Sequence, residues 1–432
     1  MSKQITIDVE HVTRIEGHGN IVLNATDGKI EKIQWQVPEA PRFFEAMVVG
    51  RDYHDVSHIV SRICGICSIS HSLVSLRATE NALGIKVSEQ TKKLRQLAKH
   101  AEMIQSHILH VGYLVAPDLF RVGSVLPLVN THKDAVLKII GVHRLGNEFS
   151  DFLCGRTTHP VSFVPGGFSR IPPAKELAGF RKRLADSIPT VLAIVDLVYA
   201  SRAGLPDFKR ATEYIALTSD ECYDPYDGFI GSTDTGKHKI EDYLTITNEY
   251  IVPHSTAKFA RHNRDSYMVG AIARFNLNHQ KLSPLAKKVA EKFGLKALLT
   301  NPFLNNIAQL VELANSIEES IQMIDDLLTS GLKNEKIEIK VKEGRGVGAV
   351  EAPRGILFHD YTYDKNGKCV KANCIIPTNQ NHANIQKDME AFAPTLLSKP
   401  ESEIKLNLEM LVRAYDPCVS CSTHYLKIKI KR

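Results

Sequence analysis

Asp416-Pro417-Cys418-Val419-Ser420-Cys421-Ser422-Thr423-His424 stands near one end of the chain, and Arg62-Ile63-Cys64-Gly65-Ile66-Cys67-Ser68-Ile69-Ser70-His71 near the other. Each stretch carries a Cys-x-x-Cys followed, three or four residues on, by a histidine. A two-residue gap lets both sulfurs of a pair face one centre, and two pairs supply four soft ligands, which suits a soft or borderline transition metal rather than magnesium or calcium. A chain built around these stretches must bring its two ends together.

The rest of the sequence fits a large soluble-type core. Of 432 residues, 43% are hydrophobic and 24% charged, which excludes a disordered chain. Eight cysteines are too sparse for a disulfide-stapled secreted fold. The first residues carry no apolar signal region, so no export signal of the chain's own is expected, although a partner could carry one; reduced thiols fit a cytoplasmic setting. No uninterrupted apolar run reaches the roughly 18 residues of a membrane span; the best, Ile188 to Ala200, is broken by Asp196. The formal charge is +6, but Lys427, Lys429, Lys431 and Arg432 supply four of these charges, and no basic stripe with interleaved aromatics argues for nucleic acid.

Read in order, residues 5–37 alternate as strands around an Asp27-Gly28 turn, with Arg14-Ile15-Glu16-Gly17-His18-Gly19 between them. Helical spacing predicts a helix after Ser88 through Leu94, Leu97, Ala98, Ala101, Ile104 and Ile108, stopping near Ala116-Pro117-Asp118. Further helices are predicted from about Asn130 to Leu153, from Ala174 to about Ala203 with a kink or break at Pro189, from Pro284 to Phe293, and from Asn305 to Leu332. Residues 205–280 read as an excursion of short strands and loops. Ile337–Val341, Gly355–Phe358 and Lys371–Ile376 read as strands. The expected fold is α+β, mainly α: an elongated central helix bundle with N-terminal and C-terminal β segments packed around a buried metal site. A single domain over 1–432 would divide into 1–87, 88–335, 336–424 and a tail, 425–432. His107 and His110 fall on a buried helix face and read as satisfied core groups.

Spacing alone leaves the four-cysteine site open between a structural zinc, a rubredoxin-like iron or an iron–sulfur cluster, and a catalytic metal. Zinc ribbons usually place their pairs roughly 15–20 residues apart, whereas here most of the protein lies between. Glu351-Ala352-Pro353-Arg354-Gly355 adds an arginine in a tight apolar turn, a permanent cation suited to an anionic metal–thiolate cluster. Cys369 and Cys374 read as packing groups.

Together, Arg14–Gly19, Arg62–His71, Ser106-His107 with Leu109-His110, Glu351–Gly355, Ile375–Asn381 and Asp416–His424 resemble the large subunit of nickel–iron hydrogenases over essentially the whole chain. Asp360-Tyr361-Thr362-Tyr363-Asp364 is closest to the cytoplasmic, multisubunit, cofactor-coupled group. The resemblance implies reversible heterolytic cleavage of dihydrogen, with electrons passed to an iron–sulfur small subunit and on to further electron-transfer subunits. It implies nickel on Cys64, Cys67, Cys418 and Cys421, with Cys67 and Cys421 bridging to an iron that carries carbonyl and cyanide ligands. Arg354 would hang over this anionic centre, supported by Asp118; Thr378 and the Pro353–Arg354 backbone would receive the cyanides. His71 would hydrogen-bond a bridging sulfur. Cys418 would take the proton first and Glu16 carry it outward, with Arg354 the rival base. Glu45, the Cys374 carbonyl and His424 match a magnesium site. A nickel-insertion chaperone and a maturation protease cutting after His424 are also implied. Other readings are a regulatory hydrogen sensor, a non-catalytic coupling subunit like that of respiratory complex I, and a zinc-stabilised protein.

Overall fold

The computed structural model describes residues 4–335 and 337–423. Strands β1 (Gln4–Val9), β2 (Asn20–Thr26) and β3 (Lys29–Gln36) form an antiparallel sheet in that order. The turn between β2 and β3 has positive φ at both Asp27 and Gly28, which matches the right-handed twist of the flanking strands. Ile5, Ile7, Val9, Ile21 and Leu23 point inward, as their alternation requires.

Four long helices make the core: α2 (Glu89–Leu109), α3 (Lys133–Cys154), α4 (Ala174–Ser201) and α7 (Asn305–Ser330), each packing against two others in the ring α2–α3–α4–α7. Ser88 caps α2, its hydroxyl accepting from the Thr91 N–H at 3.0 Å. At its far end α2 does not stop; a π-helical turn, His110–Val115, carries it into a last helical turn, Ala116–Leu119. Helix α4 runs unbroken through Pro189, because Leu184 and Val191 on either side are fully buried and packing outweighs the proline's cost of ~3 kcal/mol. By length and composition alone α4 and its short extension to Gly204 could cross a membrane; in this fold its apolar side lies on α3 and α7.

The excursion at 205–280 is a four-stranded sheet, β4 (Glu213–Thr218), β5 (Phe229–Ser232), β6 (Gly236–His238) and β7 (Tyr267–Met268), with α5 (Ala271–Asn278) behind it and α6 (Pro284–Lys292) beyond.

Two expectations fail in the C-terminal part. Residues 337–341 form no strand, and Ile337 and Val341 are exposed. The strand is instead glycine-rich β8 (Gly344–Ala352), which pairs with β9 (Gly355–Tyr363) and through it with β10 (Cys369–Ile375). Glycine is required here by close approach: a Cβ on Gly346 would stand 2.2 Å from the Ala78 carbonyl oxygen, and one on Gly348 2.4 Å from that of Val74. Both carbonyls belong to α1 (Ser68–Leu83), which lies directly on β8 and begins one residue after Cys67. The segment expected to be β also contains two helices, α8 (Pro377–Phe392) and α9 (Glu401–Ala414).

Candidate metal centre

Cys64 leaves a 3-10 turn at Ser61–Ile63, Cys67 heads α1, and Cys418 and Cys421 belong to a short turn of helix at Val419–Ser422. The four Sγ atoms lie within 4.8 Å of one another, with Cys64 and Cys418 3.5 Å apart, and all four residues are buried. Four thiolates around a single ion at ~2.3 Å would be about 3.8 Å apart, so the spacing suits a shared centre. Hydrogen bonds from Cys418, Cys421 and Cys67 hold the Cys64 thiol well below its ordinary pKa. Burial and the neighbouring sulfurs push Cys418 up. The cluster thus shares its protons, which a bound cation would displace.

Two clamps bring the chain ends together. Glu16 and Cys418 form an isolated parallel bridge, with the Val419 N–H donating to the Glu16 carbonyl at 2.9 Å. Arg42 uses one guanidinium nitrogen for the carbonyls of both Ile63, at 2.7 Å, and Ser420. It therefore joins the backbones of the two cysteine motifs.

Arg354 sits with Pro353 at the tip of the β8–β9 hairpin. Its Nε donates to the Asp416 carbonyl at 2.7 Å and its Nη2 to the Asp416 carboxylate at 2.8 Å, while Nη1 is buried with no hydrogen-bond partner among the described residues. Burial opposes the charge, but Asp416 and the thiols of Cys418, Cys67 and Cys64 outweigh it, so the guanidinium stays protonated. The expected support from Asp118 is corrected. Asp118 receives Arg14 at 2.6 Å and Arg413 at 2.8 and 3.0 Å, tying the N-terminal loop to α9. Those two guanidinium groups use its oxygens, and Asp416 takes the place beside Arg354. Asp416 is itself steadied by the Gln309 amide at 2.9 Å.

Glu16 Oε2 lies 3.1 Å from Cys418 Sγ. Thr378 Oγ1 accepts the Cys418 N–H at 3.0 Å. His71 is buried one turn after Cys67, with Nδ1 3.4 Å from His359 Nε2, and His359 meets the Tyr361 hydroxyl at 2.5 Å. The Pro353 carbonyl accepts from Arg274 at 3.0 Å. Glu45 and Cys374 are both buried; burial first, then the Glu45 charge, raises the Cys374 thiol. His424 and the tail lie outside the described residues. His110 is a satisfied core group, on Gln309 at 2.6 Å and the Arg413 carbonyl at 2.8 Å; His107 is buried with Nε2 on Glu312 at 2.8 Å, but its Nδ1 has no hydrogen-bond partner among the described residues.

Sequence reading missed Glu102. Because Cys67 occupies the N-cap of α1, its sulfur cannot both cap and ligate; Glu102, from α2, accepts the Ile69 N–H at 2.8 Å and the Ser70 N–H at 3.1 Å instead. Burial pushes its carboxyl from 4.5 up to about 8. Between those values the folded protein keeps a proton that the unfolded chain releases, so stability falls as pH rises through the window. Glu102→Gln is expected to flatten that part of a profile of thermal midpoint against pH, while costing about 1–2 kcal/mol for the misplaced amide. An unchanged slope would remove Glu102 as its source.

Four convergent sulfurs and an orphaned guanidinium nitrogen suit a cationic metal within an overall anionic group. A family model described as nickel-dependent hydrogenase matches residues 42–140 and 239–424, and one described as HoxL-like matches residues 6–40. The chain belongs to the nickel-dependent hydrogenase family, and it is a hydrogenase subunit.

Among its relatives, sulfhydrogenase 2 subunit alpha of Pyrococcus furiosus is 34% identical, covering 98% of this chain and 100% of the relative. The NAD-reducing hydrogenase HoxS subunit beta of Cupriavidus necator is 29% identical over 99% and 96% of the two chains. The crystal structure of an NAD+-reducing NiFe-hydrogenase in the H2-reduced state superposes with a TM-score of 0.87 at 26% identity, covering 97% of this chain and 99% of that one.

Proposed function

We propose that this chain is the hydrogen-activating subunit of a heteromeric nickel–iron hydrogenase that cleaves dihydrogen reversibly and heterolytically. The observation that carries this reading is the buried four-sulfur cluster with Glu16 beside Cys418 and the charged Arg354 held by Asp416. Cys64, Cys67, Cys418 and Cys421 would hold the metals, Thr378 and the Pro353–Arg354 turn would face the cyanides, and His71 would approach a bridging sulfur. Bound there, a nickel–iron centre with carbonyl and cyanide ligands supplies the Lewis acidity and electron capacity that splitting dihydrogen requires.

The chain's own residues handle the proton. Cys418 Sγ is the first acceptor, and Glu16 Oε2, 3.1 Å away, is the next. Arg354, its charge supported by Asp416, is a poor resting base; its role here is to neutralise the anionic group. Asp416 and Asp118 then act as separate braces, one on Arg354 and one on the joined chain ends.

Electrons would leave to an iron–sulfur partner subunit; among the described residues the four-sulfur group is the one His, Cys, Asp and Glu cluster that could hold a metal. The names of the relatives, subunit alpha of a sulfhydrogenase and subunit beta of an NAD-reducing hydrogenase, support a multi-subunit assembly; further electron-transfer subunits would complete it. Glu45, the Cys374 carbonyl and His424 would hold magnesium. A nickel-insertion chaperone and a protease cutting after His424 would complete maturation. A cytoplasmic setting fits eight free cysteines.

Metal analysis with infrared spectroscopy on protein purified with its native partners tests the reading. The expected result is about one nickel per chain, iron in excess of nickel from the partner's clusters, and carbonyl and cyanide stretching bands, on a chain whose intact mass ends at His424. A processed chain holding zinc and showing no such bands would overturn it.

A further inference from the structure

Arg354 keeps its place near the sulfurs only while the Pro353–Arg354 turn is held still, and a second arginine grips that turn from behind. Arg274, on α5, is fully buried, and each of its five N–H donors has an acceptor. Nε and Nη2 hold the two carboxylate oxygens of Glu312, on α7, at 2.6 Å each, and Nη1 reaches Glu351 at 2.7 Å. The other two donors go to the turn: Nη1 to the Ala352 carbonyl at 2.9 Å and Nη2 to the Pro353 carbonyl at 3.0 Å. Glu312 is fixed in its own right by His107 at 2.8 Å and the Tyr223 hydroxyl at 2.7 Å. Burial opposes the charge on Glu312, but Arg274 outweighs it and holds the carboxyl down at about 2. Because a guanidinium is planar, fixing it on carboxylates also fixes where its remaining N–H groups aim.

We propose that Arg274 is a positioning residue for hydrogen activation, fixing the Pro353–Arg354 turn and with it the Arg354 charge against the four-sulfur group. This rests on the hydrogenase reading above and deepens it. The Pro353 carbonyl belongs to the peptide unit that enters Arg354, so Arg354 is held at its backbone by Arg274 and at its side chain by Asp416.

Two further contacts tie the same corner together. A Cβ on Gly355, at φ +132°, would fall 2.5 Å from Val269 Cγ2 and 2.9 Å from the Gly270 nitrogen, so the turn lies directly on the segment that leads into α5. Asn305, at the head of α7, accepts the Ile272 N–H at 3.0 Å and donates to the Ala414 carbonyl at 2.8 Å, two residues before Asp416. The start of α5 is thereby joined both to the turn and to the strand of chain that carries Asp416.

The test uses enzyme purified with its partner subunits and reads the carbonyl and cyanide bands, nickel content and deuterium–water exchange together. Arg274→Lys keeps a cation beside Glu312 but cannot reach both carboxylates and both carbonyls from one plane. Its infrared bands are expected to shift from their wild-type positions, because the charge and dipoles facing the centre have moved, while nickel content stays the same. Exchange should fall about a hundredfold, the cost of a misplacement of about 1 Å at a reacting centre. Tyr223→Phe takes a hydrogen bond from the far side of Glu312 without touching the turn, and should leave bands and exchange at wild type. Arg274→Met combined with Glu312→Gln removes the buried pair together, which costs less than breaking it. That double variant should show the same shift, and it decides the matter if the lysine variant does not accumulate. Wild-type bands in the variant that is read overturn the proposal. An equal shift in Tyr223→Phe does the same, as does a fall in rate matched by a fall in nickel. Unmutated enzyme lacking the bands would count against the hydrogenase reading instead.

Discussion

Hydrogen–deuterium exchange in the Cys418→Ser enzyme is expected at background, a loss of at least roughly a thousandfold, as for a missing catalytic proton acceptor. Two effects combine. Serine replaces a soft thiolate by a hard, poorly ionised oxygen, which weakens a site whose other three ligands are Cys64, Cys67 and Cys421. It also removes the sulfur that lies 3.1 Å from Glu16, where the proton leaves the centre. The hydroxyl itself is small enough for the space, and the Cys418 N–H to Thr378 bond is made by the backbone, so local folding should persist. Nickel content separates the two effects: metal retained with exchange abolished places the whole loss at the proton step. Full exchange in the variant would remove Cys418 from the mechanism.

How much of this was legible before the structure depended on how local the signal was. The pleat of β1 to β3 and the inward stripe of α2 are short-range periodicities, and they fold as read. The cysteine pairs were legible because a two-residue gap is itself a statement about convergence. Helix α8 was not legible. Its inward residues are Asn379, Gln380, Asn381, His382 and Asn384, which resemble a polar loop. They are buried because each finds a partner elsewhere: Gln380 donates to the Ile356 carbonyl at 2.7 Å, and the Val269 N–H donates to Asn381 at 2.9 Å. Strand β8 was missed for the opposite reason: its glycines carry no strand preference and are needed only because α1 lies against them. Arg354 was singled out correctly, but its partner was not. Choosing between Asp118 and Asp416 requires knowing that Arg14 and Arg413 already occupy the former. Glu102 reads in sequence as an ordinary glutamate on a helix; its role at the head of α1 depends on a contact between two helices.

Glu16→Gln separates binding from proton exit more cleanly than any change at a cysteine. The glutamine keeps the length of the side chain and an oxygen that can accept the Ser420 N–H, now received by Glu16 Oε2 at 3.1 Å. The Val419 N–H bonds to the backbone carbonyl of residue 16, which the change does not touch. The two chain ends should therefore stay joined and the metals stay bound. What disappears is a carboxylate able to take a proton from Cys418 and pass it on. Turnover is expected to fall by about two to four orders of magnitude, the usual contribution of a positioned acid–base group, with unchanged nickel content and unchanged infrared bands. Conversion of para- to ortho-dihydrogen, which needs cleavage and recombination but no release of the proton to solvent, should survive better than exchange with water. That difference defines Glu16 as an exit carrier rather than a participant in bond breaking. Equal loss of both reactions would place Glu16 at the cleavage step itself, and loss of nickel would make its role structural.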